Sequence, residues 1–336
     1  MKTMRDAATQ ESARTDGDPP RLVVAIPTYR RADRLAQLLP LVAVHLDAMQ
    51  TAGTVSRPQI LVVDNDPAGS GRAALDEQPA HYPVRYVIES TPGIPAVRNR
   101  AIAEAADFDL LSFIDDDEIP RAGWLEALVA TWVASKRPTA VMGRVVSVLD
   151  DDVDPWVMAS GAFNRPQMPT GSEIDVAATG NLLLDLDQVR SSGVRFDRRI
   201  GLGGGSDTLF SMSLKRAGAR LVWCNESVTE DTVEPERQTR DWVRQRAYSH
   251  GNITILVQLH LAESRTQRAR IRLRGVVGGV ARYSLGSVRS GWGLLTGSTH
   301  HRARGRRFVQ RGAGMIAASA GQAYFAYART QSLDEA

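Results

Sequence analysis

The sequence Leu110-Leu-Ser-Phe-Ile-Asp-Asp-Asp117 joins a short apolar run to three consecutive carboxylates. An apolar run of this length that passes directly into charged residues predicts a strand buried on both faces of a parallel sheet. Three similar runs come earlier in the chain, at 22–26, 60–63 and 84–88, and helices are predicted between them at 33–49 and 95–106. This alternation predicts an α/β fold, in which a mostly parallel sheet carries helices on both faces.

Polar residues and glycine stand directly after the predicted strands. Thr28, Asp64 and Asp115 each follow an apolar run, and Gly93 lies between the third strand and the next helix. In open α/β sheets, ligands bind in the crevice beyond the carboxyl ends of the strands. We therefore expect these four residues to gather around one crevice, although they are far apart in sequence.

The second half of the chain continues the pattern less regularly. Strands are predicted at 140–148, 176–186 and 221–224, helices at 124–134, 207–217 and 239–262, and a loop at 150–169. From Arg268 onward, two helical stretches mix glycine, arginine and apolar residues. The chain is thus divided into a disordered leader (1–20), a catalytic domain (21–262) and a basic, weakly apolar helical tail (263–336).

The charge distribution narrows the classes of partner. The chain has 336 residues, 43% of them apolar, and a formal net charge of +3, but arginines crowd the stretch 265–311, where acids are scarce. Such a surface suits nucleic acid, anionic lipid headgroups or pyrophosphate, and an ordinary solvated helix face is the simpler alternative. Because no recognition motif or aromatic platform accompanies the arginines, no nucleic-acid partner is expected.

Cysteine and histidine usage excludes two further kinds of site. Cys224 is the only cysteine, so neither an internal disulfide nor a cysteine-based zinc cluster can form. His45, His81 and His260 have no partner at ligand spacing, and no zinc site is expected. With no apolar secretory signal in 1–20 and no stretch apolar enough to span a bilayer, the chain is expected in the cytoplasm.

The three aspartates are followed by Glu118, and such a concentration of negative charge favours a bound cation. Neighbouring carboxylates repel and raise each other's pKa unless a positive charge lies among them. Oxygen ligands suit Mg²⁺ or Mn²⁺, which bind through one or two carboxylates plus the phosphates of a substrate. The alternative is a solvated acidic turn, in which Asp115 or Glu118 caps the next helix.

Motifs in a fixed order along the chain resemble the family-two glycosyltransferases, over residues 21 to about 252. The matching segments are Val24-Ala-Ile-Pro-Thr-Tyr-Arg30, Leu61-Val-Val-Asp-Asn65, Gly93-Ile-Pro-Ala-Val-Arg-Asn99, Phe113-Ile-Asp-Asp-Asp117, Thr179-Gly-Asn181 and Gly203-Gly-Gly-Ser-Asp207. The resemblance implies a GT-A-type nucleotide-binding fold and inverting transfer from a nucleoside-diphosphate sugar, with UDP the expected nucleotide. It also makes Phe113–Asp117 a DxD site that uses Mg²⁺ or Mn²⁺.

The same resemblance assigns roles to individual residues. The donor nucleotide is expected to contact Pro27, Thr28, Tyr29, Arg30, Asp64, Arg98, Asp115 and Asp116. The metal is expected on Asp117, with Asp115 sharing it, and Glu230 is a candidate third ligand because it stands where many relatives place a histidine. An exposed loop acid is the alternative for Glu230. The donor sugar and acceptor are expected near Gly180, Asn181, Gly204, Gly205, Arg240, Trp242 and Arg244.

Asp207 stands at the family's general-base position, where it would take the proton of the acceptor hydroxyl. Serine at position 206 replaces the usual glutamate, so Asp207 is left as the carboxylate of this loop. As an alternative or additional role, Asp207 could cap the following helix. Thr229-Glu-Asp231 spells a motif that processive members use for their base, but its place in the chain order favours Asp207.

The C-terminal region resembles that of exopolysaccharide-assembling members of the family, such as those for succinoglycan. Arg240, Arg244 and Tyr248 recur at helical spacing, and guanidinium groups suit diphosphates while Trp242 suits a sugar face. Such members extend polyprenyl-diphosphate-linked saccharides at the inner membrane face, so the resemblance implies a glycan or lipid-linked acceptor and peripheral membrane contact. The alternatives are a tail that packs on the core, a soluble transferase for a small aglycone, and a non-catalytic nucleotide- or glycan-binding module.

Overall fold

The computed structural model describes residues 18–76, 84–200 and 204–324. The predicted leader therefore lies almost wholly outside the described residues. So do His81, the start of the glycine run at 201–203, and the end of the tail at 325–336.

In the described part of the chain, eight strands form one mixed sheet. They are β1 (Arg21–Thr28), β2 (Ser56–Asp64), β3 (Val84–Ile88), β4 (Leu110–Ile114), β5 (Glu118–Pro120), β6 (Ala140–Val148), β7 (Asn181–Asp185) and β8 (Leu221–Thr232). Their order across the sheet is β3-β2-β1-β4-β7-β6-β8-β5. β1 to β4 are parallel, as is the β6–β8 pair, whereas β7 and β5 pair antiparallel with their neighbours.

Helices cover both faces of this sheet, as predicted. They are α1 (Ala32–Thr51), α2 (Ala73–Asp76), α3 (Ile94–Glu104), α4 (Trp124–Ala134), α5 (Pro155–Ser160), α6 (Leu186–Ser192), α7 (Ser206–Arg216), α8 (Arg240–His260), α9 (Arg265–Leu295) and α10 (Thr299–Ser319). Because strand side chains alternate, Val24 and Ile26 join the core beneath α1 and α4, whereas Val23 and Ala25 join the core beneath α3, α6 and α7. The sheet is thus buried between two apolar layers.

The predicted convergence of strand ends is confirmed. Thr28 and Asp64 are direct neighbours across the β1–β2 pair. The Thr28 hydroxyl donates to Asp116 Oδ2 at 2.8 Å, which joins β1 to the segment after β4. The Gly93 N–H donates to the side chain of Asn65 at 2.9 Å. One edge of the parallel half of the sheet therefore carries all these segments.

Several predicted boundaries are wrong. β7 spans only Asn181–Asp185, and not 176–186, because the Asp185 carboxylate accepts the Gln188 N–H and begins helix α6. β8 does not end at 224 but continues to Thr232, since the polar residues after Cys224 still pair with β6 and β5. The predicted loop at 150–169 contains α5, which Asp154 caps through the Trp156 N–H.

The two tail helices form a hairpin that packs on the rest of the chain. α10 lies against α8 through glycine, because a Cβ on Gly251 would come within 2.0 Å of the Arg311 carbonyl oxygen. A Cβ on Gly314 would likewise meet the Tyr248 carbonyl oxygen at 2.0 Å. Within the described ranges, no helix has the length and apolar character needed to cross a membrane.

Candidate active site

The residues after β1 and β4 are joined by hydrogen bonds and ion pairs. Arg31 Nη1 contacts Asp116 Oδ1 at 3.0 Å and Asp117 Oδ2 at 2.8 Å, and its Nη2 lies 3.4 Å from Glu234 Oε1. Asp116 is therefore bound on both oxygens, by Thr28 and by Arg31. Asp117 keeps one oxygen outside these contacts. This arrangement supplies a fixed positive charge beside the aspartates.

Asp115 and Glu118 converge on Gly180. A Cβ at Gly180 would lie 2.2 Å from Glu118 Oε1 and 3.2 Å from Asp115 Oδ2, so only glycine leaves room for these carboxylates. Among the described residues, Glu118 Oε2 is buried without a hydrogen-bond partner. Burial is the largest cause that raises the pKa of Asp115 to about 7; Arg98 opposes it, and Asp117 and Asp207 add to it. Burial and then Asp115 raise the pKa of Glu118 well above its ordinary value.

Asp207 lies beside this acidic pair. Its Oδ2 accepts the Thr179 hydroxyl at 3.1 Å, and Thr179 directly precedes Gly180, so a single peptide separates the contacts of Asp207 from those of Asp115. Its Oδ1 accepts the Ser206 hydroxyl at 3.0 Å and forms an ion pair with the buried Arg98. The carboxylate predicted as base and the aspartate run thus face one another.

The expectation that Asp207 could cap helix α7 is wrong. The residue before the helix is Gly205, which adopts a φ of +86°, in the left-handed region that favours glycine. A Cβ there would also lie 2.4 Å from Ile253 Cγ2. Gly204 has a similar φ of +76°. These glycines turn the chain so that Asp207 enters the first turn of α7, with its side chain directed at Thr179 and Arg98.

The segments predicted to bind the nucleotide hold each other in place. Asp64 is fully buried, and its oxygens accept the Asp66 and Gly71 N–H groups at 2.8 Å and the Tyr86 hydroxyl at 2.5 Å. Arg30 has a left-handed φ of 54° and contacts Asp66 Oδ2 at 3.3 Å. The Asp64 carboxylate therefore shapes the loop after β2, and its contact with a base stays a prediction.

Pro27 and Tyr29 flank Thr28 at the end of β1. Pro27 lies opposite Val63 in the β1–β2 pair. The Arg30 guanidinium lies 5.2 Å from the centre of the Tyr29 ring. Both residues lie in the segment that carries Thr28 and Arg31 toward the aspartates, and their contact with the donor nucleotide stays a prediction.

The residues present fit a divalent cation. The Asp115 and Glu118 carboxylates are crowded together, and Glu118 keeps an unpartnered buried oxygen. In the described ranges, no three histidine, cysteine or acidic side chains surround one point closely enough to hold a metal ion alone. Mg²⁺ and Mn²⁺ sites of this kind take one or two carboxylates and complete their ligands with water and substrate phosphates.

Glu230 lies apart from these acids. In the antiparallel β5–β8 pair, Glu230 lies opposite the exposed Ile119, whereas Glu118 lies opposite Asp231. Because successive side chains of a strand point to opposite faces, Glu230 and Glu118 are on different faces. The Glu230 carboxylate forms an ion pair with Arg121 instead. The structure therefore does not bring Glu230 to the aspartates as a third ligand.

Asn181 is held by protein groups alone. Its Oδ1 accepts Trp124 Nε1 at 2.9 Å and the Ser227 hydroxyl at 3.1 Å. Its Nδ2 donates to the carbonyl oxygens of Arg144 and Ser227. The side chain is fully buried and all its polar positions are used. This corrects its prediction as a sugar contact: Asn181 ties β7 to α4, β6 and β8.

Asn181→Ala is expected to lower the free energy of unfolding by about 2–4 kcal/mol, because the Trp124 and Ser227 donors would be left buried without a partner. Urea unfolding followed by circular dichroism measures this loss. The exposed Asn164→Ala serves as control and should change stability by less than about 0.5 kcal/mol. If the Asn181→Ala protein is as stable as the wild type but has a raised KM for the donor, Asn181 contacts the donor sugar after all.

The three residues predicted at the rim of the site contact α5 and its flanking loop. Arg240 forms an ion pair with Asp154, and both Arg240 and Arg244 lie over the Trp156 ring, at 5.7 and 5.5 Å from its centre. Trp242 stacks on Phe163 with ring centres 5.5 Å apart. These contacts hold α5 and its flanking loop against the start of α8. A contact of Arg240, Trp242 or Arg244 with a sugar or diphosphate stays a prediction.

Sequence reasoning gave Arg31 and Tyr86 no role. It named Glu118 only as part of the acidic run and Thr179 only as part of the Thr179–Asn181 motif, without a separate function for either. Arg31 carried a weak signal, since it stands next to Arg30 after the first strand. Glu118 follows the aspartate run directly, but the burial that makes it notable depends on Gly180. Tyr86 had no local signal, because its hydroxyl meets Asp64 only across the β2–β3 pair.

The sheet order and the acidic edge define a GT-A-type fold. Its likeness to solved structures includes the mannosyltransferase PcManGT from Pyrobaculum calidifontis, solved with GDP-Man and Mn²⁺. The two share 18% identity with a TM-score of 0.58, over 90% of this chain and 87% of that one. Residues 23–185 match the model described as Glycosyl transferase family 2.

Two curated relatives are similar in sequence. The succinoglycan biosynthesis protein ExoM of Rhizobium meliloti is 28% identical over 260 residues, which cover 76% of this chain and 81% of ExoM. The pre-mycofactocin glycosyltransferase of Mycobacterium tuberculosis is 26% identical over 196 residues, which cover 56% of this chain and 38% of that protein. The ExoM match extends well beyond the length of the family domain.

Proposed function

We propose that this chain transfers a sugar, with inversion, from a nucleoside-diphosphate sugar to a glycan or polyprenyl-diphosphate-linked acceptor in polysaccharide synthesis. UDP is the expected nucleotide, and the cytoplasmic side of the membrane is the expected place of action. The observation that carries the proposal is the meeting of Asp207 with Asp115 and Glu118 across the Thr179–Gly180 peptide. A proton acceptor and an acidic cation site then flank one reacting centre.

The chemistry follows from this placement. The acceptor hydroxyl oxygen forms the new bond to the anomeric carbon, the bond from that carbon to the diphosphate oxygen breaks, and the hydroxyl proton passes to Asp207 Oδ2. Arg98 holds the other Asp207 oxygen and so orients the carboxylate. Asp117 and Asp115 would provide carboxylates for Mg²⁺ or Mn²⁺, with water and substrate phosphates as the remaining ligands, and the ion would neutralise the negative charge on the departing diphosphate.

Two similarities support a role in polysaccharide synthesis and the use of a divalent cation. The likeness to ExoM supports polysaccharide synthesis, because succinoglycan biosynthesis is that protein's role. The neighbour from Pyrobaculum calidifontis holds a nucleotide sugar together with Mn²⁺, which supports a divalent ion here. A second candidate is a transferase that acts on a small aglycone; the similarity to a pre-mycofactocin glycosyltransferase favours it only in that the name of that relative gives pre-mycofactocin, and not a polysaccharide, as substrate.

Donor hydrolysis tests the proposal without knowledge of the acceptor. The protein is incubated with UDP-, GDP- and dTDP-sugars, with Mn²⁺ or with EDTA, and the released nucleoside diphosphate is measured. Hydrolysis of one donor class that requires the cation is expected. A complete lack of cation-dependent hydrolysis across the donors would refute the metal-dependent mechanism. Acceptor screens with lipid-linked saccharides and small aglycones then separate the two candidates.

The affinity for Mn²⁺ is expected to fall as the pH drops below about 7, because burial raises the pKa of Asp115 to about that value. Below that pH the carboxyl is protonated, so a binding cation must displace the proton. The apparent affinity should fall by up to about tenfold for each pH unit below 7. Calorimetric titrations at several pH values measure this, and a flat profile between about pH 5.5 and 8 would contradict it.

A further inference from the structure

Helix α9 has one side built for close packing against α10. Its buried positions are small residues: Gly275, Gly279, Gly286, Ser290 and Gly293. A Cβ at Gly286 would lie 2.7 Å from the Gly305 carbonyl oxygen, and one at Gly279 would lie 2.9 Å from that of Gly312. The two backbones therefore approach closely, and the larger side chains of α9 are left on its other side.

The other side of α9 carries exposed large apolar residues along most of its length. They are Leu273, Val276, Val277, Val280, Tyr283, Leu285, Val288, Trp292, Leu294 and Leu295. Leu273, Val277, Val280, Val288 and Leu295 follow helical spacing and share one face, which at 1.5 Å per residue is about 33 Å long. Val288 is 72% exposed and Leu295 is 85% exposed. Contiguous apolar surfaces of this size mark interaction sites.

The charge around this apolar face has one sign. Between Ser264 and Leu333 the sequence contains no acidic residue, while twelve arginines lie between 265 and 311. Arg270 and Arg274 on α9 and Arg302 and Arg306 on α10 are exposed. A second copy of the same hairpin would bring like charges together, and this opposes self-association through the face. An anionic lipid surface offers both an apolar layer and phosphates to match the arginines.

We propose that the exposed face of α9 lies flat on an anionic lipid bilayer. Val277, Val288, Trp292 and Leu295 enter the boundary between headgroups and acyl chains, and the arginines of the α9–α10 hairpin contact lipid phosphates. The glycine contacts with α10 and α8 fix this face relative to the catalytic domain. The surface is independent of the proposed reaction, and it would place the site near an acceptor that is held in the membrane.

Flotation with lipid vesicles tests this surface. The full chain is mixed with vesicles of phosphatidylcholine alone or with phosphatidylglycerol added, and is expected to float only with the anionic vesicles. The triple variant Val277→Gln, Val288→Gln and Leu295→Gln is expected to bind at least about tenfold more weakly, because three apolar side chains are lost from the buried face. Arg270→Gln with Arg274→Gln should weaken binding to the anionic vesicles and reduce its sensitivity to salt.

A matched control replaces equally exposed apolar residues elsewhere. Val44, Val133 and Met158 lie on α1, α4 and α5, and Val44 is 67% exposed. The triple glutamine variant at these positions should float like the wild-type chain. Both triple variants should hydrolyse donor at the wild-type rate in vesicle-free buffer, so that a loss of flotation is separate from any failure of the proposed reaction.

Three results would overturn the proposal. The wild-type chain could fail to bind anionic vesicles, or the α9 triple variant could bind as tightly as the wild type. Light scattering could also show a concentration-dependent dimer that does not float with vesicles. If the α9 triple variant abolishes this dimer, a second copy of the chain covers the face.

Discussion

Asp207→Asn is expected to lower the kcat for sugar transfer by about 10²- to 10⁴-fold, the usual contribution of a general base. The asparagine has nearly the same shape: its amide oxygen can still accept hydrogen bonds from Arg98 and Ser206, and its amide NH₂ can donate to the Thr179 hydroxyl. It cannot take the proton of the acceptor hydroxyl. The loop should therefore keep its structure while the chemical step fails, and transfer assays with calorimetric titration of the nucleoside diphosphate measure both properties.

Asp187→Asn is the matched control for this variant. Asp187 is also an aspartate in the first turn of a helix, α6, but its side chain is exposed and forms an ion pair with Arg190. Its replacement should leave kcat within about twofold of wild type, since no reacting group is near. If Asp207→Asn keeps normal turnover, Asp207 has no part in proton transfer. If Asp207→Asn loses nucleotide binding as well as turnover, the role of Asp207 is structural.

Asp117→Asn is expected to reduce cation-dependent donor hydrolysis by about 10²- to 10³-fold and to weaken Mn²⁺ binding. Asp117 contacts Arg31 through one oxygen and lies beside Asp116, so removing its charge leaves fewer carboxylates to attract a cation. Because Arg31 keeps its contact with Asp116, the fold should be retained. Titration of hydrolysis with Mn²⁺, together with paramagnetic resonance of bound Mn²⁺, measures the loss.

A second run of three aspartates provides the control. Asp150, Asp151 and Asp152 repeat the same tripeptide, but all three are exposed between β6 and α5. Asp152→Asn should leave the Mn²⁺ dependence of hydrolysis unchanged. If Asp117→Asn keeps the wild-type Mn²⁺ dependence, we would infer that Asp115 and Glu118 hold the cation without Asp117.

These two aspartate runs show how much local sequence can predict. The run at 115–117 was recognised because an apolar strand precedes it and because other strand ends carry matching motifs. The convergence of Thr28, Asp64, Gly93 and the run then followed from the geometry of parallel strands, and the structure confirms it. The run at 150–152 also follows a predicted strand, but no matching motif accompanies it, and its three side chains are exposed.

The partners of the charged residues could not be predicted in the same way. Arg31 and Asp117 are 86 positions apart, and Arg98 and Asp207 are 109 positions apart. No local pattern states which arginine will face which aspartate. Glu230 illustrates the error that follows, because its place in the motif order suggested a metal ligand while the strand turned it to the opposite face, toward Arg121.

The sequence by itself determined the α/β alternation, the strand ends that carry the site, and the basic character of the tail, because these properties are written in short-range apolar and charge patterns. Only the tertiary structure decided that Asn181 is saturated by protein hydrogen bonds, that Gly180 admits Asp115 and Glu118, and that α9 turns its apolar side outward. Each of these depends on contacts between distant segments, and burial and hydrogen-bond partners exist only once those segments have packed together.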